Sequence, residues 1–289
     1  MRSIFATCLT MLLLNPVFGR EADSSWFDRE GEWNGYQQFH FKVVDRAAYV
    51  VVPKEAADGH PWVWRARFPG YHADMDVTLL SKGFHVGYVD VAGMFGSPKA
   101  VGIGNQFYQF MTQQRGLSPK VCLEGVSRGG LFVYNWAAEN ADRVACIYCD
   151  TPVCDFKSWP GGRGSGVGSS AAWGQCLKAY QLSEEEAVVY GKNPVDGAGV
   201  IAEAKIPILH IVSENDRIVP PKENTYVLKS RFEEQGHELE VISVAEGTQK
   251  SNGHHFTHPQ PDRVVAFFRR AVSTSRPIHK DEPSSVIEH

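Results

Sequence analysis

A serine between two glycines is the first feature of this chain whose residue types and spacing could do chemistry. The segment Gly125-Val-Ser-Arg-Gly129 matches Gly-x-Ser-x-Gly, a pattern that places a serine on a sharp turn between a strand and a helix. An apolar run at 120–125 leads into the turn, and a helical pattern follows it. Because glycine leaves room for such a turn, Ser127 is predicted to be a nucleophile. The backbone N–H of Arg128, near the helix N-terminus, is predicted to donate to a developing oxyanion.

A serine nucleophile needs a base, and the base needs an acid to orient it. The sharp strand–serine–helix turn is called a nucleophile elbow. In chains with such an elbow, the acid follows the serine and precedes the histidine. Asp216 follows the apolar run at 208–213, where a carboxylate can reach a histidine on the next loop, so it is the predicted acid. Three other acidic residues stand near the ends of predicted elements and are alternatives: Glu214, Asp90 and Asp155.

The candidate base lies in a histidine-rich segment near the end of the chain. His254, His255 and His258 fall together, and Gly253 before them permits a close turn. His254 is the predicted base and His255 the alternative. Three histidines could also suggest a metal centre, but their spacing does not direct them at one point and no carboxylate lies within the segment. No metal site is predicted.

The elements that must position these side chains alternate along the sequence. Short apolar runs separated by amphipathic helical stretches predict a mostly parallel sheet with helices on both faces. An opening pair of strands predicts an antiparallel edge. The predicted strands are 39–44, 47–52, 62–68, 84–90, 120–125, 143–149, 208–213 and 239–244, and the predicted helices are 74–81, 98–114, 129–139, 223–235 and 261–272.

One stretch, 151–205, departs from this alternation. It begins with a Gly/Ser-rich run, and Ser183 followed by three glutamates then indicates a capping box that opens a short helix. We interpret 151–205 as a cap-like insertion over the C-terminal edge of the sheet. The predicted organisation is a signal peptide at 1–19, one α/β domain at 20–273 and a flexible polar tail at 274–289.

Composition and the first residues narrow the classes of function. The chain has 289 residues, and its net charge of −4 argues against a nucleic-acid partner, which would require a basic excess or patch. A positive start and an apolar run of about ten residues are typical of a secretory signal, and this run is too short to span a membrane. We therefore expect a secreted or periplasmic protein with no membrane span.

These motifs resemble the α/β-hydrolase superfamily over about 62–272. Three segments carry the resemblance: Gly125-Val-Ser-Arg-Gly129, Asp216-Arg-Ile-Val-Pro220 and Gly253-His-His. Within this superfamily, the sequence is most similar in general character to secreted serine esterases and prolyl-oligopeptidase-like hydrolases. The resemblance implies an α/β-hydrolase fold, with Ser127 as nucleophile, His254 as base and Asp216 as its orienter. It also implies a second oxyanion donor in the loop after the strand at 62–68, for which Phe68 is the candidate because Pro69 has no N–H.

The expected reaction is acyl transfer from an ester of a carbohydrate or another small molecule. A serine peptidase of the prolyl-oligopeptidase-like type is the alternative, and a non-catalytic binding module is a third possibility because a fold does not fix a function. The Arg128 side chain could either hold the elbow or meet an anionic substrate group, and the structural role is preferred. No cofactor is expected, since Gly102-Ile-Gly104 lacks the third glycine of a dinucleotide fingerprint. The oligomeric state is left open.

Overall fold

A nine-stranded sheet forms the centre of the computed structural model, which describes residues 26–274. The predicted signal at 1–19 lies outside the described residues, as does the predicted tail beyond residue 274. The strands are β1 (Arg29–Trp33), β2 (Tyr36–Val43), β3 (Arg46–Val51), β4 (Trp62–Arg65), β5 (His85–Val89), β6 (Val121–Val126), β7 (Val144–Asp150), β8 (Ile208–Ser213) and β9 (Leu239–Val244).

The strands are arranged in the order β1-β2-β3-β5-β4-β6-β7-β8-β9. The first three pair antiparallel, and β3 also meets β5 antiparallel. From β5 through β4 to β9 every pairing is parallel. The carboxyl ends of these parallel strands therefore open at one edge of the sheet, where ligands bind in folds of this type. The predicted antiparallel edge and parallel centre are both confirmed.

Helices cover both faces of the sheet. In β4, Trp62 and Trp64 belong to the larger apolar core, and Val63 between them belongs to the core on the opposite face. This alternation follows from the two-residue period of a strand that is buried on both sides. The helices are α1 (Asp74–Ser81), α2 (Pro98–Gln109), α3 (Gly129–Glu139), α4 (Ser170–Tyr180), α5 (Glu184–Val188), α6 (Ala198–Glu203), α7 (Thr225–Glu233) and α8 (Pro261–Thr274).

The predicted insertion contains α4, α5 and α6 and packs through its own apolar cluster. Phe156 and Cys176 of the insertion belong to that cluster together with Phe95 and Leu131 of α3. Helix α5 begins at the predicted capping box. The Ser183 side chain accepts a hydrogen bond from the N–H of Glu186, and the Glu186 side chain accepts one from the N–H of Ser183. The capping box is therefore confirmed.

Several predicted elements differ in their bounds from the observed ones, among them a strand and a helix that precede Ser127. Strand β4 ends at Arg65 rather than at residue 68, because the backbone turns and Phe68 adopts a left-handed φ of 50°. Helix α2 ends at Gln109, and a π-helical turn, Phe110–Gln114, continues it. Because β4 ends early, Phe68 lies in the loop that follows this strand, at the carboxyl edge of the sheet.

The described residues also bear on membrane association and on the state of the cysteines. Between residues 26 and 274, no helix combines the length and apolar character needed to cross a membrane. The five cysteines in this part of the chain are buried free thiols: Cys122, Cys146, Cys149, Cys154 and Cys176.

Candidate active site

Ser127 occupies a sharp turn directly after β6. Its φ is 51°, a left-handed conformation that costs free energy in a residue other than glycine. Three backbone hydrogen bonds hold it there. The Ser127 N–H donates to the carbonyl of Asp150 at 2.8 Å, and its carbonyl accepts from the N–H groups of Gly130 at 3.0 Å and Val153 at 2.9 Å. The surroundings thus fix the strained conformation that lifts the hydroxyl above the sheet.

Both glycines of the motif are closely packed against neighbouring segments. A Cβ added to Gly129 would lie 2.9 Å from the Cβ of Arg67. A Cβ added to Gly125 would lie 3.0 Å from a methyl group of Val133 and 3.1 Å from the Sγ of Cys149. A side chain at position 129 would therefore force Arg67 to shift, and one at position 125 would have to displace Val133 and Cys149 slightly.

A continuous chain of hydrogen bonds links Ser127, His254 and Asp216. Nε2 of His254 lies 3.0 Å from the Oγ of Ser127, and Nδ1 of the same ring lies 2.6 Å from Oδ2 of Asp216. The other carboxylate oxygen of Asp216 accepts the N–H groups of Ile218 at 2.8 Å and Val219 at 2.9 Å. The three side chains are largely shielded from water, with exposures of 9% for Ser127, 8% for His254 and 4% for Asp216.

The loops that carry the acid and the histidine are joined by their backbones. Gly253, immediately before His254, has a φ of 85°. A Cβ there would lie 2.3 Å from the carbonyl oxygen of Asn215. The N–H of Arg217 donates to the carbonyl of Asn252 at 2.9 Å. This close approach, which a glycine allows, positions the imidazole between the carboxylate and the hydroxyl.

His255 and the alternative acids lie in other environments. His255 is exposed, and its ring packs 5.3 Å from that of Tyr71 rather than against Ser127. Glu214 accepts hydrogen bonds from the hydroxyls of Tyr226 and Ser243. The remaining two carboxylates are also engaged: Asp90 pairs with Arg46, and Asp155 accepts the N–H of Lys157.

The candidate oxyanion donors are the backbone N–H groups of Arg128 and Phe68. Within the described chain, neither N–H donates to a carbonyl or a side-chain oxygen, so both are available to a ligand. Phe68 has a left-handed φ of 50°. The Arg128 guanidinium lies 5.6 Å from the Phe68 ring, which brings the elbow and this loop together. These positions are compatible with a two-donor oxyanion hole.

Sequence reasoning did not identify Arg65, the last residue of β4, whose side chain holds the loop that contains Phe68. Its Nη1 lies 2.5 Å from Oδ2 of Asp76 and 2.8 Å from Oε1 of Glu124. Its other nitrogens donate to the carbonyls of Phe68 and Tyr71. Burial raises the pKa of Glu124 well above its usual range, although the charge of Arg65 acts in the opposite direction. An arginine within a buried strand is the one sequence signal that could have revealed this cluster.

A second histidine–aspartate pair, also missed, borders the His254 segment. Nδ1 of His72 lies 2.5 Å from Oδ2 of Asp150, and its Nε2 lies 2.8 Å from the carbonyl of Phe256. The ring of His258 packs against that of His72, and its Nε2 meets the hydroxyl of Tyr148 at 3.1 Å. Across residues 26–274, no three side chains of the metal-ligating types gather as a metal site would require.

No protein-family model and no curated protein matches this chain. Solved structures do match. A puromycin-hydrolyzing peptidase of Mycobacterium tuberculosis aligns with a TM-score of 0.63 at 15% identity, over 82% of this chain and 39% of its own. An acylaminoacyl peptidase of Pyrococcus horikoshii gives 0.59 at 16% identity, over 81% and 41%. Dipeptidyl peptidase 4 of Porphyromonas gingivalis gives 0.57 at 14% identity, over 84% and 35%.

The chain therefore spans only about two fifths of the length of these neighbours. At such identities the likeness concerns the fold. The sheet order, the parallel centre and the strand–serine–helix elbow agree with that likeness. On this basis, the chain has the α/β-hydrolase fold that its motifs predict.

Proposed function

We propose that this protein is a serine hydrolase that works through an acyl-enzyme. The observation that carries the proposal is the hydrogen-bonded chain from Ser127 through His254 to Asp216, with contacts of 3.0 and 2.6 Å. A nucleophile, a base and an orienting acid in this geometry are what acyl transfer by serine requires.

Each residue then has one role in the reaction. Nε2 of His254 takes the proton as Ser127 Oγ attacks the substrate carbonyl, and Asp216 stabilises the resulting imidazolium. The N–H groups of Arg128 and Phe68 donate to the oxyanion of the tetrahedral intermediate. His254 next gives its proton to the leaving group, and water, activated by the same imidazole, releases the acid from Ser127.

For the bond that is cleaved, we propose an amide or peptide bond. The structural neighbours are named as peptidases, and one is named for hydrolysing puromycin. This likeness favours the peptidase alternative over the ester hydrolysis that was the first expectation from sequence. Esters remain useful probes, because the same machinery acts on an activated ester with a better leaving group.

We also propose that the protein acts outside the cytoplasm. The composition of residues 1–19 supports this proposal. Intact-mass analysis of protein recovered from the periplasm or the medium tests it. The expected result is a chain that has lost its first residues near position 19.

Fluorophosphonate labelling with mass-spectrometric site mapping tests the enzyme class. We expect one covalent adduct on Ser127 in the wild type and none in Ser127→Ala, while both proteins give the same circular dichroism spectrum. A wild-type protein that is folded and unlabelled would contradict the proposal. A panel of aminoacyl amides and acetylated sugars then separates the two bond types, and we expect turnover of the amides.

A further inference from the structure

Two arginine side chains, from the turn that carries Ser127 and from the loop that carries Phe68, meet on the ring of one phenylalanine. The Cζ of Arg67 is 4.6 Å from the centroid of the Phe68 ring, and the Cζ of Arg128 is 5.6 Å from the same centroid. Arg128 directly follows Ser127, and Arg67 directly precedes Phe68. This arginine pair, Arg67 and Arg128, therefore brings two positive charges to the two segments that carry the proposed nucleophile and the candidate oxyanion donor Phe68.

No acidic side chain within residues 26–274 forms an ion pair with either arginine. Arg67 interacts with the phenol of Tyr88, which stays neutral because burial raises its pKa. Two carboxylates that follow strands at this edge of the sheet are engaged by histidines, Asp216 by His254 and Asp150 by His72. The charges of the arginine pair are thus not neutralised by the protein.

The surroundings of the arginine pair are apolar. Arg128 is half-buried, and its Cζ lies 5.7 Å from the ring centroids of both Phe95 and Trp159. Burial and the like charge of Arg67 lower the pKa of Arg128. The Nε–H groups of both arginines are buried without an acceptor. Aromatic faces attract cations but carry no net charge, so two adjacent guanidinium groups remain without a counter-ion at a cost in free energy.

We propose that the arginine pair binds a carboxylate of the substrate, so that the preferred substrate is an anionic ester or amide. A guanidinium presents paired N–H donors that match the two oxygens of a carboxylate. This inference rests on the proposed function, because Ser127 supplies the chemistry. The inference goes beyond the proposed function because it specifies the charge of the substrate. The hydrogen-bonded residues Ser127, His254 and Asp216 do not specify that charge.

Matched pairs of esters test the inference. For the acyl side, the 4-nitrophenyl monoester of adipic acid is compared with 4-nitrophenyl hexanoate, which has a methyl group in place of the carboxylate. For the leaving-group side, 4-(butyryloxy)benzoate is compared with 4-(butyryloxy)benzamide. In at least one pair we expect kcat/KM to favour the anionic ester by about tenfold or more, the ratio that 1.4 kcal/mol of binding provides.

The variants Arg67→Gln and Arg128→Gln then show whether the arginine pair causes the preference. We expect the anionic-to-neutral ratio of kcat/KM to fall toward one in each variant, whatever happens to the absolute rates. The control is Arg231→Gln. Arg231 is an exposed arginine on α7, so this variant removes the same charge away from the site and should keep the wild-type ratio. Arg128→Lys, which retains the charge without the planar fork, should keep part of the preference.

The outcomes distinguish this inference from the proposed function. Turnover of the neutral esters with no anionic preference in either pair would overturn the inference while the hydrolase proposal stands. The same holds if the preference survives in both glutamine variants, since the arginine pair would then only support the loop. Absence of turnover together with absence of fluorophosphonate labelling at Ser127 would overturn both.

Discussion

Nδ1 of His72 lies 2.5 Å from the carboxylate of Asp150 while Nε2 of the same ring lies 2.8 Å from the carbonyl oxygen of Phe256. A carboxylate and a carbonyl only accept hydrogen bonds, so forming both contacts requires two N–H groups on the ring. His72 is therefore an imidazolium that joins the end of β7 to the segment following His254. This bridge connects the segment that carries the proposed base to the end of β7, which also accepts the backbone hydrogen bond of Ser127.

The bridge predicts a defined dependence of stability on pH. Burial opposes the charge on His72, but the hydrogen bond and charge of Asp150 outweigh it and raise the pKa of His72. The unfolded pKa is about 6.5, so the stabilisation is complete below that pH and is lost as pH rises through the higher folded value. Urea unfolding at several pH values, compared between wild type and His72→Gln, should show a difference in stability that shrinks with rising pH.

Two measurements complete this test. In a nuclear magnetic resonance titration, the His72 ring should titrate above pH 6.5 in the wild type and lower in Asp150→Asn. His210, whose pKa burial alone lowers to about 3, affects both proteins equally and cancels in the comparison. His255 and His258 do not cancel, because the charge of His72 lowers the pKa of both, so their ring titrations are followed in both proteins. A wild-type minus variant difference that does not change with pH would refute the charged bridge.

The two adjacent histidines should differ sharply in their contributions to turnover. His254 contacts both Ser127 and Asp216, whereas His255 is exposed and packs against Tyr71. We expect His254→Ala to lower kcat by on the order of a thousandfold or more. His255→Ala should change it by less than about tenfold. Steady-state kinetics on an activated ester measures both, and equal losses would contradict the assignment of the base.

The carboxylate that orients His254 can be tested in the same way. In Asp216→Asn an amide replaces the acceptor that fixes the histidine tautomer, and kcat should fall by on the order of a thousandfold to ten-thousandfold. The matched control is Glu214→Gln, two positions earlier, where the side chain instead meets Tyr226 and Ser243. That control should keep kcat within about threefold. A larger loss in the control than in Asp216→Asn would overturn the choice of acid.

Much of the site could be predicted from sequence because each candidate residue follows a strand. Ser127 follows β6, Asp216 follows β8 and His254 follows β9. In a parallel sheet these three strand ends share one edge. The choice between His254 and His255 could not be made in this way, because it depends on the left-handed Gly253 and its contact with the neighbouring loop.

The supporting residues were not predicted because their partners are distant in sequence. Arg65 meets Glu124 across 59 positions, and His72 meets Asp150 across 78. No local pattern encodes such pairings. Strand β1 was missed for a different reason. Its Arg29–Trp33 segment lies at the edge of the sheet and is mostly charged, and edge strands need no apolar alternation.

The Arg65 cluster allows stability and loop positioning to be separated. Arg65→Met leaves the buried Asp76 carboxylate without its cation, and we expect a loss of about 3–5 kcal/mol in the free energy of unfolding. The triple variant Arg65→Met, Asp76→Leu, Glu124→Leu removes the carboxyl groups as well. It should recover most of that stability, because apolar residues can replace a buried ion cluster.

Activity should not recover with stability in the triple variant. The carbonyls of Phe68 and Tyr71 have lost the donors that Arg65 supplies, so the Phe68 N–H is no longer held in place for the oxyanion. We expect kcat to stay at least about tenfold below wild type while KM changes little, since a donor to the oxyanion acts in the transition state. Denaturant unfolding and steady-state kinetics on one preparation measure both quantities. A triple variant with wild-type stability and wild-type kcat would show that Arg65 does not position the oxyanion loop.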